Sequence, residues 1–201
     1  MNNVFVVGVG LIGGSLCLDI KKMFPKVKIY GIDSSVDNLD LAVKLNLIDY
    51  KTSLDNLNKA DLVLISTPVD VANKIIIDVL NTINSKSLVI DFGSTKMNIC
   101  SKVKNHKKRK NYLASHPIAG TEFSGPKAAF SGLFSNKTII LCDTEKTDKN
   151  LLITAKNIFR SMQMNIRYMD SLSHDKHIAY VSHLSHISSF MLGKTVMDKE
   201  K

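Results

Sequence analysis

Short apolar runs recur along the first 170 residues, and stretches with helical spacing separate most of them. Residues 4–7, 28–32, 60–66, 87–91, 112–115, 138–142 and 166–168 read as strands, with a shorter one at 47–50. Several of these runs are apolar at successive positions rather than at alternate ones, the pattern of strands covered on both faces. Residues 11–23, 36–45, 69–80, about 96–104 and 148–162 read as helices. Pro68 and Asp70 open the third of these, since proline fits a first turn and an acid suits the positive end of a helix. The alternation predicts an α/β fold, a Rossmann-type doubly wound and mainly parallel sheet with helices on both faces. Ligands bind such sheets at the carboxyl ends of the strands. Gly8, Asp33, Ser66, residues 91–94 and His116 all fall at predicted strand ends.

From Ser171 the pattern changes. Ser171 can cap a helix, no proline follows it, and no glycine occurs before Gly193. Residues 171–201 read as one long helix with apolar residues (Ile178, Val181, Leu184, Ile187, Phe190 and Leu192 among them) around most of its circumference, so it expects burial. Two units follow: residues 1–170 as a dinucleotide-binding domain, and 171–201 as the first helix of a helical domain.

Composition removes several classes. With 44% hydrophobic residues and no apolar run near the roughly 20 residues of a membrane helix, no membrane partner is expected. The chain starts on a strand without a charged leader, so no signal peptide is expected. Cys17, Cys100 and Cys142 are odd in number and widely spaced, and they read as reduced residues of a cytoplasmic protein. The net charge is +9. The basic run at 102–110 has no aromatic residue among its charges, so it reads as a solvated helix end and loop, with no nucleic-acid partner. The positive field favours capture of an anionic small molecule.

The candidate chemistry starts at Gly8, Gly10 and Gly13, a G-x-G-x-x-G between the first strand and the first helix. Gly8 turns the chain, Gly10 leaves room for a pyrophosphate, and Gly13 lets the helix pack on the strand. The helix N-terminus turns free N–H groups toward the phosphates. Asp33, at the end of the second strand, is placed to accept both ribose hydroxyls and would repel a 2′-phosphate. NAD is therefore expected over NADP, while the glycine motif alone leaves FAD open. His116 follows a strand on the same side and can accept a proton while a hydride leaves. Ser94 can bond that imidazole or a substrate hydroxyl, or simply cap the next helix. His183 and His186 share a helix face. No third ligand accompanies them, so no metal is expected and they read as hydrogen-bond donors. His174 and His177 read as helix surface and cap.

GVGLIGGS at 8–15 with its preceding strand, Asp33, ISTPV at 65–69, DFGSTK at 91–96, HPIAGTE at 116–122 and SHLSH at 182–186 occur in that order. Together they resemble the prephenate dehydrogenases of tyrosine biosynthesis along the whole chain. The resemblance implies NAD-dependent oxidative decarboxylation of prephenate to 4-hydroxyphenylpyruvate. It implies a cofactor site lined by Gly8, Gly10, Leu11, Ile12, Gly13, Asp33, Thr67 and Pro68. His116 matches the catalytic histidine and Ser94 the serine that positions it, while Thr121, Glu122, Ser182, His183 and His186 match substrate-pocket positions. The family also implies a homodimer, formed by a helical domain of which 171–201 is the start. That domain supplies an arginine for the substrate carboxylate, whereas Arg109, Arg160 and Arg167 lie at places that do not match. The alternatives are an NAD-binding protein without catalysis and an arogenate dehydrogenase.

Overall fold

The computed structural model describes residues 1–183, 190 and 191, with the side chains of Ser182 and His183 outside that description. Eight strands form one sheet: β1 (Asn3–Val7), β2 (Lys28–Ile32), β3 (Tyr50–Lys51), β4 (Leu62–Ile65), β5 (Leu88–Asp91), β6 (Tyr112–Ile118), β7 (Thr138–Cys142) and β8 (Asn165–Met169). Their order is β3-β2-β1-β4-β5-β6-β7-β8. Every neighbouring pair is parallel except β6 with β7. The helices are α1 (Leu11–Met23), α2 (Val36–Lys44), α3 (Val69–Thr82), α4 (Met97–Val103), α5 (Lys149–Ser161) and α6 (Ser171–Ile178), and α6 runs into a π-helical turn at Ala179–His183.

Two apolar cores explain the unbroken hydrophobic strands. Val4 and Val6 of β1 pack with Leu16 and Ile20 of α1 and Phe159 of α5, while Phe5 and Val7 face the other way, with Ile76 of α3 and Ile99 of α4. Alternate residues of one strand serve opposite faces, so both sets must be apolar. The helix starts follow local chemistry: the Ser35 side chain accepts from Asn38 N, and Asp148 accepts from Asn150 N and Leu151 N. Cys17, Cys100 and Cys142 are buried free thiols. Among the described residues no helix is long and apolar enough to cross a membrane.

Four sequence expectations are corrected. The strand at 47–50 shrinks to Tyr50–Lys51, because Leu47 and Asn46 finish the turn after α2, with Leu47 N donating to Ala42 O and Asn46 at φ 55°. Asp170, not Ser171, caps α6 by accepting from Ser173 N at 2.8 Å. The basic run is not simply solvated: Arg109 is buried, donating to Tyr112 O at 2.8 Å, and Lys108 Nζ donates to Asn81 O and Ile83 O at the end of α3. Finally, β6 continues through His116 and Pro117, so the histidine lies inside a strand and not after it. Pairing with β5 ends at Asp91↔Ala114, so Pro117 has a neighbour only on the β7 side, and its missing N–H costs no ladder bond. The expected helix at 171–201 holds as far as α6 and the π-helical turn, and Phe190 and Met191 are helical. The rest of it lies outside the described residues.

Candidate active site

The turn from β1 into α1 leaves no room for side chains at two places. Gly8 has φ +89°, and a Cβ there would lie 2.8 Å from Ser66 O. A Cβ on Gly13 would lie 2.0 Å from Gly8 O, so only glycine lets α1 sit this close to the strand. Ser66 Oγ donates to Gly8 O at 2.7 Å and ties the turn to the end of β4. At Gly10, by contrast, a Cβ would meet nothing within 4 Å, and the backbone faces open space. That space is a crevice of about 400 Å³ lined by Gly10, Leu11, Ile12, Thr67, Pro68 and Ser94, among others. Thr67 Oγ1 is buried there without a hydrogen-bond partner. The first turn of α1 carries no acid and no side-chain cap. At the end of β2, Asp33 accepts from Val9 N at 3.0 Å on one oxygen and Ser35 N at 2.9 Å on the other. Each oxygen keeps a free lone pair.

Next along the sheet, a buried ion pair holds the loop after β5. Lys96 Nζ donates to Asp91 Oδ2 and, at 2.9 Å, to Ser115 O. Tyr112 Oη donates to Asp91 Oδ2 at 3.1 Å, and Gly93 N to Asp91 Oδ1 at 2.9 Å. Burial, and then the Asp91 charge, push the Tyr112 phenol well above its ordinary value, which keeps it a donor. Ser115 Oγ donates to Asp91 O at 2.7 Å, so the ends of β5 and β6 are fastened together.

His116 is the residue after Ser115. Its Nδ1 lies 2.9 Å from Nε2 of His174 on α6, and the two rings meet edge to face. His174 is fully buried, and its Nδ1 lies 2.8 Å from Asp175 Oδ1. Asp175 also accepts from Lys96 N at 2.7 Å and Met97 N at 2.9 Å, capping α4 from another helix. Burial first, then the neighbouring His174 and Lys96, lower the His116 imidazole to about 4, so it is neutral at pH 7. Burial raises the Asp175 carboxyl, but the hydrogen bonds from Met97, His174 and Lys96 outweigh it and hold the group below its ordinary value. His116 also lines a second cavity, of about 610 Å³, with Thr138, Ile140, Arg167 and His177. His116 pairs with Ile140 and Ile140 with Arg167, so the three share one rung and one face of the sheet.

The structure therefore brings Gly10, Leu11, Ile12, Thr67, Pro68 and Ser94 together, with Gly8 and Gly13 shaping the turn beneath and Asp33 bonded to it. It does not pair Ser94 with His116, whose Nδ1 partner is His174, and α4 is capped by Asp175 and not by Ser94. Thr121 and Glu122 are exposed and line an adjoining cleft, which shares Phe123 and Ser124 with the crevice. Ser182 and His183 fall in the π-helical turn by their backbone, and His186 lies outside the described residues. Sequence reasoning missed His174, Asp175, Lys96 and the cavity position of Arg167. Helical spacing does carry one signal for His174: it is four residues before Ile178, which packs in the core.

A parallel sheet with a glycine turn at its first crossover, an acid ending its second strand and an open crevice between defines a nucleotide-binding domain of the Rossmann type. The sequence profile for the nucleotide-binding domain of prephenate dehydrogenase matches residues 16–168. The chain is 33% identical over 190 residues to a prephenate dehydrogenase of Bacillus subtilis, covering 92% of this chain and 51% of that protein. It thus spans about half the length of that relative. The solved structure of A. aeolicus prephenate dehydrogenase in complex with hydroxyphenyl propionate and NAD+ superposes with a TM-score of 0.90 at 34% identity, over 98% of this chain and 70% of that one. A Synechocystis arogenate dehydrogenase superposes with a TM-score of 0.85 at 26% identity, over 96% and 68%. The chain belongs to the prephenate dehydrogenase family.

Proposed function

We propose that this chain binds NAD in the crevice beside the glycine turn and takes part in the oxidative decarboxylation of prephenate to 4-hydroxyphenylpyruvate. The cofactor reading fits the residues present. Gly10 leaves the approach open, the partnerless hydroxyl of Thr67 offers a hydrogen bond, and Asp33 retains acceptor capacity for ribose hydroxyls. Leu11, Ile12, Gly13 and Pro68 complete the wall, with Gly8 at the turn. When bound, NAD supplies the acceptor for the hydride. The chain's own chemistry lies in His116, whose Nε2 takes the proton of the substrate's ring hydroxyl. Loss of the ring carboxylate as carbon dioxide then makes the ring aromatic, which draws the reaction forward.

The neutral, half-buried imidazole of His116 carries this reading. A protonated histidine could not accept the hydroxyl proton, and burial removes that form at physiological pH. Prephenate carries two carboxylates, and the exposed Arg167 on the His116 cavity offers them a guanidinium. Ser94, Thr121, Glu122, Ser182, His183 and His186 are proposed to shape the substrate side. Residues 1–170 form the cofactor domain, and 171–201 begin a helical substrate and dimerisation region, so the active unit is a homodimer. The three reduced, buried cysteines agree with a cytoplasmic setting.

A second substrate is favoured by the arogenate dehydrogenase relative, since arogenate differs only in its side-chain amino group. Calorimetry with NAD, followed by NADH absorbance on adding prephenate or arogenate, tests both steps. His116→Asn should leave NAD affinity nearly intact and lower turnover by about two to four powers of ten. Absence of NAD binding would overturn the cofactor assignment, and unchanged turnover in the variant would remove His116 from the chemistry.

A further inference from the structure

We infer that His174 and Asp175 are positioning residues that hold His116 in the one neutral tautomer able to accept a substrate proton, an inference that rests on the reading of His116 as the base. The chain of contacts begins at a group that can only accept. Asp175 Oδ1 takes hydrogen bonds from Lys96 N and His174 Nδ1, and Oδ2 takes one from Met97 N. A proton must therefore sit on His174 Nδ1, because a bare nitrogen 2.8 Å from a carboxylate oxygen would set two acceptors against each other. Neutral His174 then has its lone pair at Nε2. The 2.9 Å contact with His116 needs a proton on His116 Nδ1. Neutral His116 is left with its lone pair at Nε2, the nitrogen that a hydroxyl proton requires.

The same chain accounts for the proton after transfer. When Nε2 of His116 takes it, the proton on Nδ1 can move to His174 Nε2, and the positive charge comes to rest beside Asp175. The pair gains one proton in total and loses none. A second proton on His174 before the reaction would reverse the order. Its Nε2–H would donate to His116 Nδ1, and the His116 hydrogen would move to Nε2 and block it. The charged and titratable groups around the pair are Lys96 ahead of α4, held by Asp91, Asp175 and His177 on α6, and Arg167 on β8. Asp175 is fixed independently of the histidines by the first N–H groups of α4, which keeps the accepting end of the chain in place.

Two-bond proton–nitrogen correlation spectra of the ¹⁵N-labelled chain at neutral pH read the tautomers directly. The expected result is His116 protonated at Nδ1, with Nε2 in the range of a bare imidazole nitrogen. In His174→Phe the constraint is gone, and His116 should shift to the Nε2–H form that unconstrained histidine side chains prefer. In His174→Gln an acceptor oxygen remains at similar reach, and the Nδ1–H form should return. Nε2–H in the unsubstituted chain, or an unchanged tautomer in His174→Phe, would overturn the inference. Should His174→Phe not fold, the unsubstituted spectrum and His174→Gln still decide. The spectra need neither NAD nor substrate. A chain with the expected tautomer that forms no NADH would overturn the functional reading alone, and an active chain with the opposite tautomer would overturn this inference alone.

Discussion

Replacing Lys96 with methionine should be among the most destabilising single changes in this domain. Lys96 is fully buried, and its ammonium donates to Asp91, itself 1% exposed, and to Ser115 O. Lys96→Met keeps most of the volume but strips the carboxylate of its cation. Asp91 would retain hydrogen bonds from Gly93 N and Tyr112 Oη, with a full charge in an interior that screens it poorly. Breaking a buried pair this way costs about 3–5 kcal/mol. That is a large share of the roughly 5–15 kcal/mol that holds a typical domain folded. Pairing Lys96→Met with Asp91→Asn removes both charges and leaves an amide whose oxygen can still accept from Gly93 N while its NH2 donates to Tyr112 Oη. The double variant should recover most of the loss and fall within about 2 kcal/mol of the parent. Urea unfolding followed by circular dichroism gives the midpoints, with the slope checked for constancy. A single-variant loss under about 1 kcal/mol, or a double variant as costly as the two single losses added, would refute the reasoning.

Other residues give sharper local tests. Gly13→Ala drives a methyl against the backbone oxygen of Gly8, so it should cost about 1–3 kcal/mol in thermal unfolding and abolish NAD binding in calorimetry. Gly10→Ala meets only open space, so its unfolding midpoint should stay near that of the parent while NAD affinity falls. Asp33→Ala should weaken NAD about 10- to 100-fold and narrow the preference over NADP, as measured by the two dissociation constants; an unchanged ratio would contradict the ribose assignment. His116 stands at about 4 in the folded chain against 6.5 unfolded, so the unfolded state binds the extra proton first. Stability should fall as pH drops from 6.5 to 4, by up to about 3 kcal/mol, and His116→Gln should flatten that part of a stability–pH profile.

The parts legible in the sequence were those set by neighbours in the chain. Residues 4–7 and 28–32 are apolar runs between turn residues, and the glycine spacing marks the crossover directly. Asp33 follows from its distance along the chain. What stayed hidden depends on distant partners. His174 looks like a polar residue on an amphipathic helix, and only the fold brings its ring to His116, 58 residues away. Lys96 reads as a surface lysine because most lysines are exposed. Its burial requires Asp91 and Ser115 on two different strands. The expected strand ended at Ser115, and Pro117 is tolerated within β6 because β5 has already ended beside it. Arg167 carried no signal for its place beside the cavity, because two strand pairings, β6 with β7 and β7 with β8, set it on the rung of His116.

The three thiols turn the domain into its own reporter of breathing motions. Burial pushes Cys17 and Cys100 up to about 12 and raises Cys142 as well, so none offers a thiolate to a reagent while its surroundings stay closed. One stands on the first crossover helix, one on α4 and one at the end of β7. Timed alkylation with mass readout would therefore rank how often each neighbourhood opens, with no label to be engineered.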